Sequence, residues 1–314
     1  MSSNSLLKTK INYVKTLDGL YILRDIEFEI FGRETVCIIG ESGSGKTMTG
    51  YCLMGLLPQN LISDYEVYFT KEGKIYSNPE EYRGKEITMI FQEPMTALNP
   101  VFSIGNQLIE VVRRNNTLKE KVVLDALRSV GIKNPDKVFH SYPHQLSGGM
   151  RQRILIAMAF LPGPSIVIAD EPTTALDVTM SSGILSLIDF LKNSKGTSLI
   201  FISHDLNIVE KMADRIIVMY GGTIMEEGNK TDILNKPLHP YTIALKRLFE
   251  ERKNTYNSRL PEIKGYVPSI KDMPKGCPFN PRCENVINIC KRELPPLTIK
   301  YENHKVRCFN YHSY

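Results

Sequence analysis

One short loop constrains this chain more than any other segment, because its residues fit the pattern G-x-x-x-x-G-K-[ST]. It follows an apolar run at 36–39 and precedes a helix-capable segment at 48–57. Glycines let successive backbone N–H groups point inward, so the loop is predicted to bind phosphate. A Gly/Ser-rich linker is the alternative, which the flanking strand and helix disfavour. The loop consists of Gly40, Glu41, Ser42, Gly43, Ser44, Gly45, Lys46 and Thr47.

Two side chains at the end of this loop are predicted to act directly on a nucleotide. Lys46 has the position from which an ammonium reaches the β- and γ-phosphates, and the Thr47 hydroxyl is placed to ligate Mg²⁺. Thr49, in the first turn of the following helix, is included among the predicted nucleotide contacts. The positive end of that helix adds to the attraction for anions.

Length and composition narrow the class of protein. With 314 residues, the chain can form one large α/β domain with an appendage, or two small domains. No apolar run approaches the roughly 18 residues of a membrane helix, and residues 1–10 lack the apolar core of a secretory signal. We therefore expect a cytoplasmic protein. A net charge of +5 is weak evidence for nucleic acid and equally suits work beside an anionic membrane.

The first hundred residues alternate in the manner of strands around the loop. Residues 8–14 and 21–30 read as half-buried strands, and 65–77 as a hairpin that turns at 71–74. Tyr13 and Tyr21 are candidates for stacking on adenine, although packing within a strand is the more common role of such residues. A further strand at 86–91 leads to Gln92.

Helical periodicity replaces this pattern after residue 93. Residues 105–114 and 118–130 carry apolar residues at helical spacing, and Gly131 suits a C-terminal cap. We expect an all-helical insertion, about 93–160, between two halves of an α/β core.

A second anion site is predicted where 146–153 reads Leu-Ser-Gly-Gly-Met-Arg-Gln-Arg. N–H groups of Gly148 and Gly149 and the hydroxyl of Ser147 could receive a phosphate at this helix start. A simple N-cap explains Ser147 alone, but it leaves two glycines unexplained, each unfavourable by about 1 kcal/mol within a helix.

Two later apolar runs end in polar residues suited to hydrolysis. The run at 166–169 predicts a strand buried on both faces, and Asp170 and Glu171 follow it. Asp170 suits Mg²⁺ coordination, and Glu171 suits a general base that polarises water. The run at 197–203 is interpreted as the last strand, and His204 after it could contact the γ-phosphate.

Six cysteines divide into two groups. Cys37 and Cys52 fall in predicted core elements. The other four have the spacing C-x5-C-x6-C-x17-C, which is looser than structural zinc knuckles and supports only an unspecified thiolate site. In a reducing compartment, metal is favoured over disulfide. The four are Cys277, Cys283, Cys290 and Cys308.

In order and approximate spacing, these motifs resemble the ATP-binding subunits of ABC transporters over about residues 8–250. The resemblance implies a RecA-like parallel sheet, an antiparallel β layer and a helical subdomain that receives the membrane subunits. It implies that Gln92 senses Mg²⁺ and water, and that Asp177, after Ala175 and Leu176, lies at a dimer seam. Two domains then meet head to tail, with Ser147, Gly148 and Gly149 facing ATP on the partner.

A finer resemblance is to the oligopeptide, dipeptide and nickel importers, carried by 89–100, His239-Pro240-Tyr241-Thr242 and the segment 276–283. It implies a C-terminal extension over 251–314, after an ATPase domain over 1–250, and a [4Fe-4S] cluster on the four cysteines. Zinc and unmetallated thiols are the alternatives. Arg33 departs from the glycine common in that group.

The resulting hypothesis is an ATPase at the cytoplasmic face of the cell membrane that energises solute import, with peptide favoured over nickel or metallophore. Its expected partners are a second ATPase subunit in a heterodimer, two integral permeases and an extracytoplasmic solute-binding protein; nucleic acid is not expected. A soluble ABC-type ATPase acting on DNA or ribosomes is the alternative, disfavoured by the single motif set and the absence of heptads. A module that holds ATP without hydrolysing it is disfavoured by Glu171 and His204.

Overall fold

The computed structural model describes residues 5–93, 97–112, 119–174, 177–254 and 263–312. Contacts divide the chain into two compact units. The first unit contains residues 5–6, Ile30–Glu34 and Phe69–Phe201 of the described chain, and the second contains Leu7–Glu29, Thr35–Tyr68 and the described residues from Ile202 onward.

The strands follow the apolar runs of the sequence. In chain order they are β1 Leu7–Thr16, β2 Tyr21–Ile30, β3 Thr35–Ile39, β4 Leu61–Lys71, β5 Lys74–Tyr76, β6 Ile87–Ile90, β7 Ile166–Asp170, β8 Ser198–Ser203, β9 Arg215–Tyr220, β10 Thr223–Asn229, β11 Thr298–Tyr301 and β12 His304–Val306. Within the second unit, one sheet runs in the order β11-β12-β10-β9-β3. Within the first unit, β8, β7 and β6 follow one another, and β6 pairs parallel with β7.

Every residue of β3, the strand before the phosphate loop, is buried. It pairs parallel with β9, with Val36 opposite Arg215 and Ile39 opposite Val218. Loops at the carboxyl ends of parallel strands form the ligand-binding edge of open α/β sheets. The sheet therefore presents the residues from Gly40 onward at such an edge.

The helices confirm most of the predicted periodicity. They are α1 Lys46–Met54, α2 Pro79–Tyr82, α3 Ile104–Val111, α4 Lys119–Ser129, α5 Pro135–Phe139, α6 Gly148–Phe160, α7 Val178–Lys195, α8 Leu206–Met212, α9 Lys230–Asn235 and α10 Pro240–Asn254. Gly131 follows α4 with φ +78°, and its N–H donates to Arg128 O at 2.9 Å, so the predicted C-terminal cap is confirmed. The predicted turn at 71–74 joins β4 to β5, with Glu72 and Gly73 both at positive φ.

The interpretation of 197–203 as the last strand was wrong. Two buried strands, β9 and β10, follow it, joined at Gly221 and Gly222. A Cβ on Gly222 would lie 2.1 Å from Ile22 O, and one on Gly221 would lie 2.7 Å from Pro278 Cβ. The turn needs both glycines because two segments of the second unit approach it closely.

The C-terminal extension adds strands to the sheet of the second unit. Strand β12 pairs antiparallel with β10, with Glu226 opposite Val306. Buried Arg307 donates to Ile224 O at 2.7 Å, to Asp25 Oδ2 at 2.6 Å and to Pro295 O at 3.0 Å. The extension is thus fastened to strands β2 and β10, while the domain limit at residue 250 stays a prediction.

Candidate functional site

The phosphate loop has a backbone that requires glycine at two positions. A Cβ on Gly40 would lie 2.2 Å from Met219 O and 2.7 Å from Ser44 Oγ. Gly45, at φ +96°, would place a Cβ 2.5 Å from the Leu23 side chain. Neither site can hold a larger residue without moving the loop, so packing fixes the curl that the sequence pattern predicts.

Lys46 directs its ammonium into the loop. Its Nζ donates to Gly40 O at 2.9 Å and to Glu41 O at 3.0 Å, and it lies 3.5 Å from Ser44 Oγ. The side chain is only 6% exposed. A fixed cation in the centre of a backbone concavity is an arrangement suited to a phosphate group.

Helix α1 begins directly at this concavity. Its N-cap is Gly45, so no capping side chain occupies the first-turn N–H groups. Thr47 lies in that turn and is partly exposed, whereas Thr49 is fully buried and its hydroxyl donates to Gly45 O at 3.0 Å. Ser42 and Gly43 are exposed at the tip of the loop. The nucleotide contacts of these residues stay predictions.

The first unit brings Gln92 and Glu171 together. Gln92 Nε2 donates to Glu171 Oε2 at 3.4 Å, and the hydroxyl of Thr174 donates to the same oxygen at 3.0 Å. Glu171 has φ +44°, while the preceding Asp170 is 1% exposed at the end of β7. Gln92 and Thr174 are thus neutral donors to the Glu171 carboxylate, and sequence reasoning missed Thr174. Its spacing of three residues after Glu171 is typical of a local side-chain turn.

Ser147 caps helix α6, since its Oγ accepts from Met150 N–H at 3.3 Å. A Cβ on Gly149 would lie 3.2 Å from Met180 Sδ, which gives that glycine a packing role. Among the described atoms, a Cβ on Gly148 would meet nothing within 4 Å. Contacts within the unit therefore account for Ser147 and Gly149, and the phosphate contact of the three residues stays a prediction.

Asp177 caps helix α7 through a 2.8 Å hydrogen bond from Met180 N–H. Ala175 and Leu176, predicted beside it at a dimer seam, lie outside the described residues, as do residues 94–96 of the 89–100 motif. His204 is exposed directly after β8 and belongs to the second unit with the phosphate loop. The residues at 92, 147–149, 170–171 and 177 belong to the first unit.

The two tyrosines predicted as candidates for stacking on adenine, Tyr13 and Tyr21, both lie against the ammonium of Lys15. Lys15 Nζ lies 4.1 Å from the ring centroid of Tyr13 and 4.4 Å from that of Tyr21. Cation–π contacts of this kind stabilise the strand surface on their own. The choice between stacking on adenine and packing within the strand therefore stays open for both tyrosines.

The four cysteines of the extension are free thiols. Burial, with a smaller contribution from the other thiolates, raises the pKa of Cys277 to about 12 and that of Cys308 to about 11. Burial also raises the pKa of Cys283, with Cys290 adding to the effect.

Backbone hydrogen bonds surround these sulfurs. Cys277 Sγ accepts from Phe279, and Cys283 and Cys308 likewise accept from the residues two positions later, Asn285 and Asn310. Such bonds support thiolate ligands of metals, so the donor chemistry fits a metal centre. Over the described ranges, however, no group of three Cys, His, Asp or Glu side chains is arranged to hold a metal ion.

Comparison with known proteins agrees with these motifs. A family model described as ABC transporter matches residues 23–174. The dipeptide transport ATP-binding protein DppD of Bacillus subtilis is 42% identical over 296 residues, covering 91% of this chain and 88% of that protein. The chain belongs to the ABC transporter family. A model described as the C-terminal region of oligopeptide/dipeptide transporters matches residues 225–290 of this ABC protein.

Other relatives extend the agreement. The oligopeptide transport ATP-binding protein OppD of Escherichia coli is 42% identical, covering 90% of this chain and 86% of that protein. A dimeric structure of the ATP-binding cassette MJ0796, bound to ADP and phosphate, matches with a TM-score of 0.60 and 28% identity. It covers 71% of this chain and 98% of that cassette. The predicted fold class is therefore confirmed, and this ABC protein is an ATPase subunit of a transporter.

The transporter assignment does not require a membrane span in this subunit. Among the helices that the structure describes, none has both the length and the apolar character needed to cross a bilayer.

Proposed function

We propose that this ABC ATPase energises the import of peptides. The observation that carries the proposal is similarity to dipeptide and oligopeptide transport ATP-binding proteins over about nine tenths of the chain, including the separately matched segment 225–290. Nickel and metallophore are the alternative cargoes that the sequence resemblance left open. The alternative of an ATPase acting on DNA or ribosomes receives no support from these relatives.

The proposed nucleotide site places the ATP phosphates in the loop Gly40–Thr47, with Lys46 as the central cation. Thr47, Gln92 and Asp170 would hold Mg²⁺, which supplies charge neutralisation at the phosphates. The hydrogen bonds of Lys46 to loop carbonyls and the absence of a capping side chain on α1 support this assignment.

Hydrolysis in this proposal depends on Glu171 as the general base. Its carboxylate would accept a proton from the attacking water, and hydrogen bonds from Gln92 and Thr174 orient it. His204 would hold the γ-phosphate. The hydroxyl of Ser147 and the N–H groups of Gly148 and Gly149, with Asp177 at the seam, would act on ATP bound by a partner subunit.

The proposed assembly has a second ABC ATPase subunit in a heterodimer, two integral permeases and an extracytoplasmic solute-binding protein. The chain would lie at the cytoplasmic face of the membrane. Residues 1–250 would form the ATPase domain, with 93–160 as the helical subdomain that receives the permeases, and 251–314 would form the extension. ATP-driven closure and product release would then gate the permeases.

Reconstitution tests this proposal directly. The chain is co-expressed with permeases and receptor encoded beside it, and the complex is placed in proteoliposomes with ATP on the side of the ATPase. Uptake of labelled di- and oligopeptides that requires ATP and the receptor is the expected result. Uptake of nickel or a metallophore with no peptide uptake would overturn the peptide assignment.

We further propose that Cys277, Cys283, Cys290 and Cys308 hold a [4Fe-4S] cluster, with zinc as the alternative. Four thiols and three backbone hydrogen bonds to sulfur support the proposal. A cluster bound there would supply a covalent cross-link within the extension. Anaerobic purification should yield about four iron and four sulfide per chain with visible absorbance. One zinc per chain, or neither metal, would overturn the cluster.

A further inference from the structure

Arg282 of the C-terminal extension contacts the phosphate loop. Arg282 lies in the short 3-10 helix Asn280–Arg282, between two of the four cysteines. Its Nη1 donates to Glu41 Oε2 at 2.5 Å, and its Nη2 donates to Glu41 Oε1 at 3.2 Å. The two side chains are 4% and 25% exposed. This is a bidentate pair in which Arg is not replaceable by Lys.

The remaining donors of Arg282 are also occupied. Nε donates to Lys264 O at 3.1 Å, Nη2 to Ile263 O at 3.0 Å and Nη1 to Tyr220 OH at 3.2 Å. Burial lowers the pKa of Arg282, but its bonds to Glu41 and Tyr220 outweigh burial and raise it. These hydrogen bonds hold the guanidinium in one orientation toward the loop.

Glu41 links this contact to Lys46. Its backbone N–H donates to Tyr241 OH at 2.9 Å, and its carbonyl accepts from Lys46 Nζ at 3.0 Å and from Ser44 N–H at 3.2 Å. The side chain of Glu41 is thus held by the extension, and its backbone is held by a helix residue and by Lys46. Movement of Glu41 would disturb both the loop curl and the position of the ammonium.

An aromatic cluster supports the pair from behind. The ring of Phe279, from the extension, lies 5.3 Å from that of Tyr220 and 5.2 Å from that of Tyr241, centroid to centroid. Tyr220 and Tyr241 are 4.7 Å apart. Because all three rings are buried, the extension cannot leave the loop without exposing them.

The Arg282–Glu41 pair, called the clamp below, matters because of its charge. A free carboxylate in a loop that binds a polyphosphate would repel the ligand, and a partly buried site weakens solvent screening. Pairing with Arg282 cancels the charge of Glu41 and holds its oxygens away from alternative partners such as Lys46. We propose that Arg282 is a positioning residue for ATP, which makes the cysteine-bearing extension part of the nucleotide site. This inference rests on the proposed assignment of the loop as the ATP site.

The test measures equilibrium binding of MgATP to the full-length chain by calorimetry. For Arg282→Met, we expect Kd to rise by about 10-fold or more, because an unpaired carboxylate then faces the phosphates. In the Arg282→Met background, Glu41→Gln removes the unpaired carboxylate and should restore most of the lost affinity. Arg282→Lys keeps the charge without the fork, and we expect an intermediate Kd.

Arg307→Met is the matched control, because Arg307 is a second buried arginine of the extension that pairs with Asp25 rather than with the loop. It should lower the unfolding temperature but leave the Kd for MgATP unchanged. Circular dichroism confirms folding of each variant, and bound metal is quantified to exclude its loss as the cause.

Three results would overturn the proposal: an Arg282→Met Kd within 2-fold of the wild type, no rescue by Glu41→Gln, or an equal effect of Arg307→Met. Lys46→Ala distinguishes failure of the assignment of the loop as the ATP site from failure of the proposed role of Arg282. If that variant binds MgATP normally, the loop assignment itself fails, whereas an effect of Lys46 without one of Arg282 rejects only the clamp.

Discussion

The burial of His239 sets the size of a predicted pH effect on stability. The side chain is 1% exposed, and its Nδ1 accepts from Tyr241 N–H at 2.9 Å, so the neutral ring carries its proton on Nε2. The described residues offer Nε2 no hydrogen-bond partner. Burial, with a smaller contribution from the charge of Arg307, lowers the pKa of His239 from 6.5 to about 3. The folded chain therefore keeps this ring neutral under mildly acidic conditions.

The sign of the pH effect follows from proton uptake. Below pH 6.5 the unfolded chain protonates His239 and the folded chain does not, so acid favours unfolding. Each pH unit between 6.5 and about 3 removes about 1.4 kcal/mol of the free energy of unfolding. At pH 5 the loss amounts to about 2 kcal/mol relative to pH values well above 6.5.

The test compares wild type with His239→Asn by urea unfolding at pH 7.5 and pH 5, followed by far-ultraviolet circular dichroism. Asparagine can accept the same backbone hydrogen bond from Tyr241 but does not titrate. The variant should lose about 2 kcal/mol less than wild type on going to pH 5. Leu238→Ala, at a fully buried neighbour, should be less stable at both pH values and keep the wild-type pH difference. The same pH difference in wild type and His239→Asn would refute the reasoning.

Two further substitutions test the loop and the turn beside it. Lys46→Ala should weaken MgATP binding by roughly 100-fold in an equilibrium titration because it removes the central cation, and normal affinity would contradict its role. Gly222→Ala should lower the free energy of unfolding by about 2–4 kcal/mol, since its Cβ would lie 2.1 Å from Ile22 O at φ +77°. Gly19→Ala has similar φ, +83°, but open space, so it should cost only about 1 kcal/mol; equal losses in thermal unfolding would contradict the steric argument.

Local patterns were sufficient to predict the elements that carry the motifs. The loop Gly40–Thr47 lies between β3 and α1, and Asp170 ends β7, because short apolar runs and glycine positions encode these features directly. The local backbone geometry of Arg33 is consistent with the glycine that is common at this position in the importer group. Arg33 lies at φ +64°, a conformation that favours glycine, and its N–H donates to Ser198 Oγ at 2.8 Å.

Contacts between distant segments could not be predicted in this way. Arg282 and Glu41 are 241 residues apart, and nothing in the spacing of either motif indicates that they pair. The family motif at 239–242 includes Tyr241, but the contact of its hydroxyl with the loop depends on where α10 packs. The motifs predict no strand at β9 or β10, although the residues of both strands form apolar runs that local periodicity can detect.

In the proposed mechanism, hydrolysis depends most directly on Glu171 as the base that activates water. The decisive measurement is phosphate release by the reconstituted transporter carrying Glu171→Gln in this subunit alone, at saturating MgATP. We predict that release at this subunit's site falls by roughly 100-fold or more while the site still binds MgATP, because glutamine keeps the shape but cannot take a proton. Phosphate release at the wild-type rate would contradict the assignment.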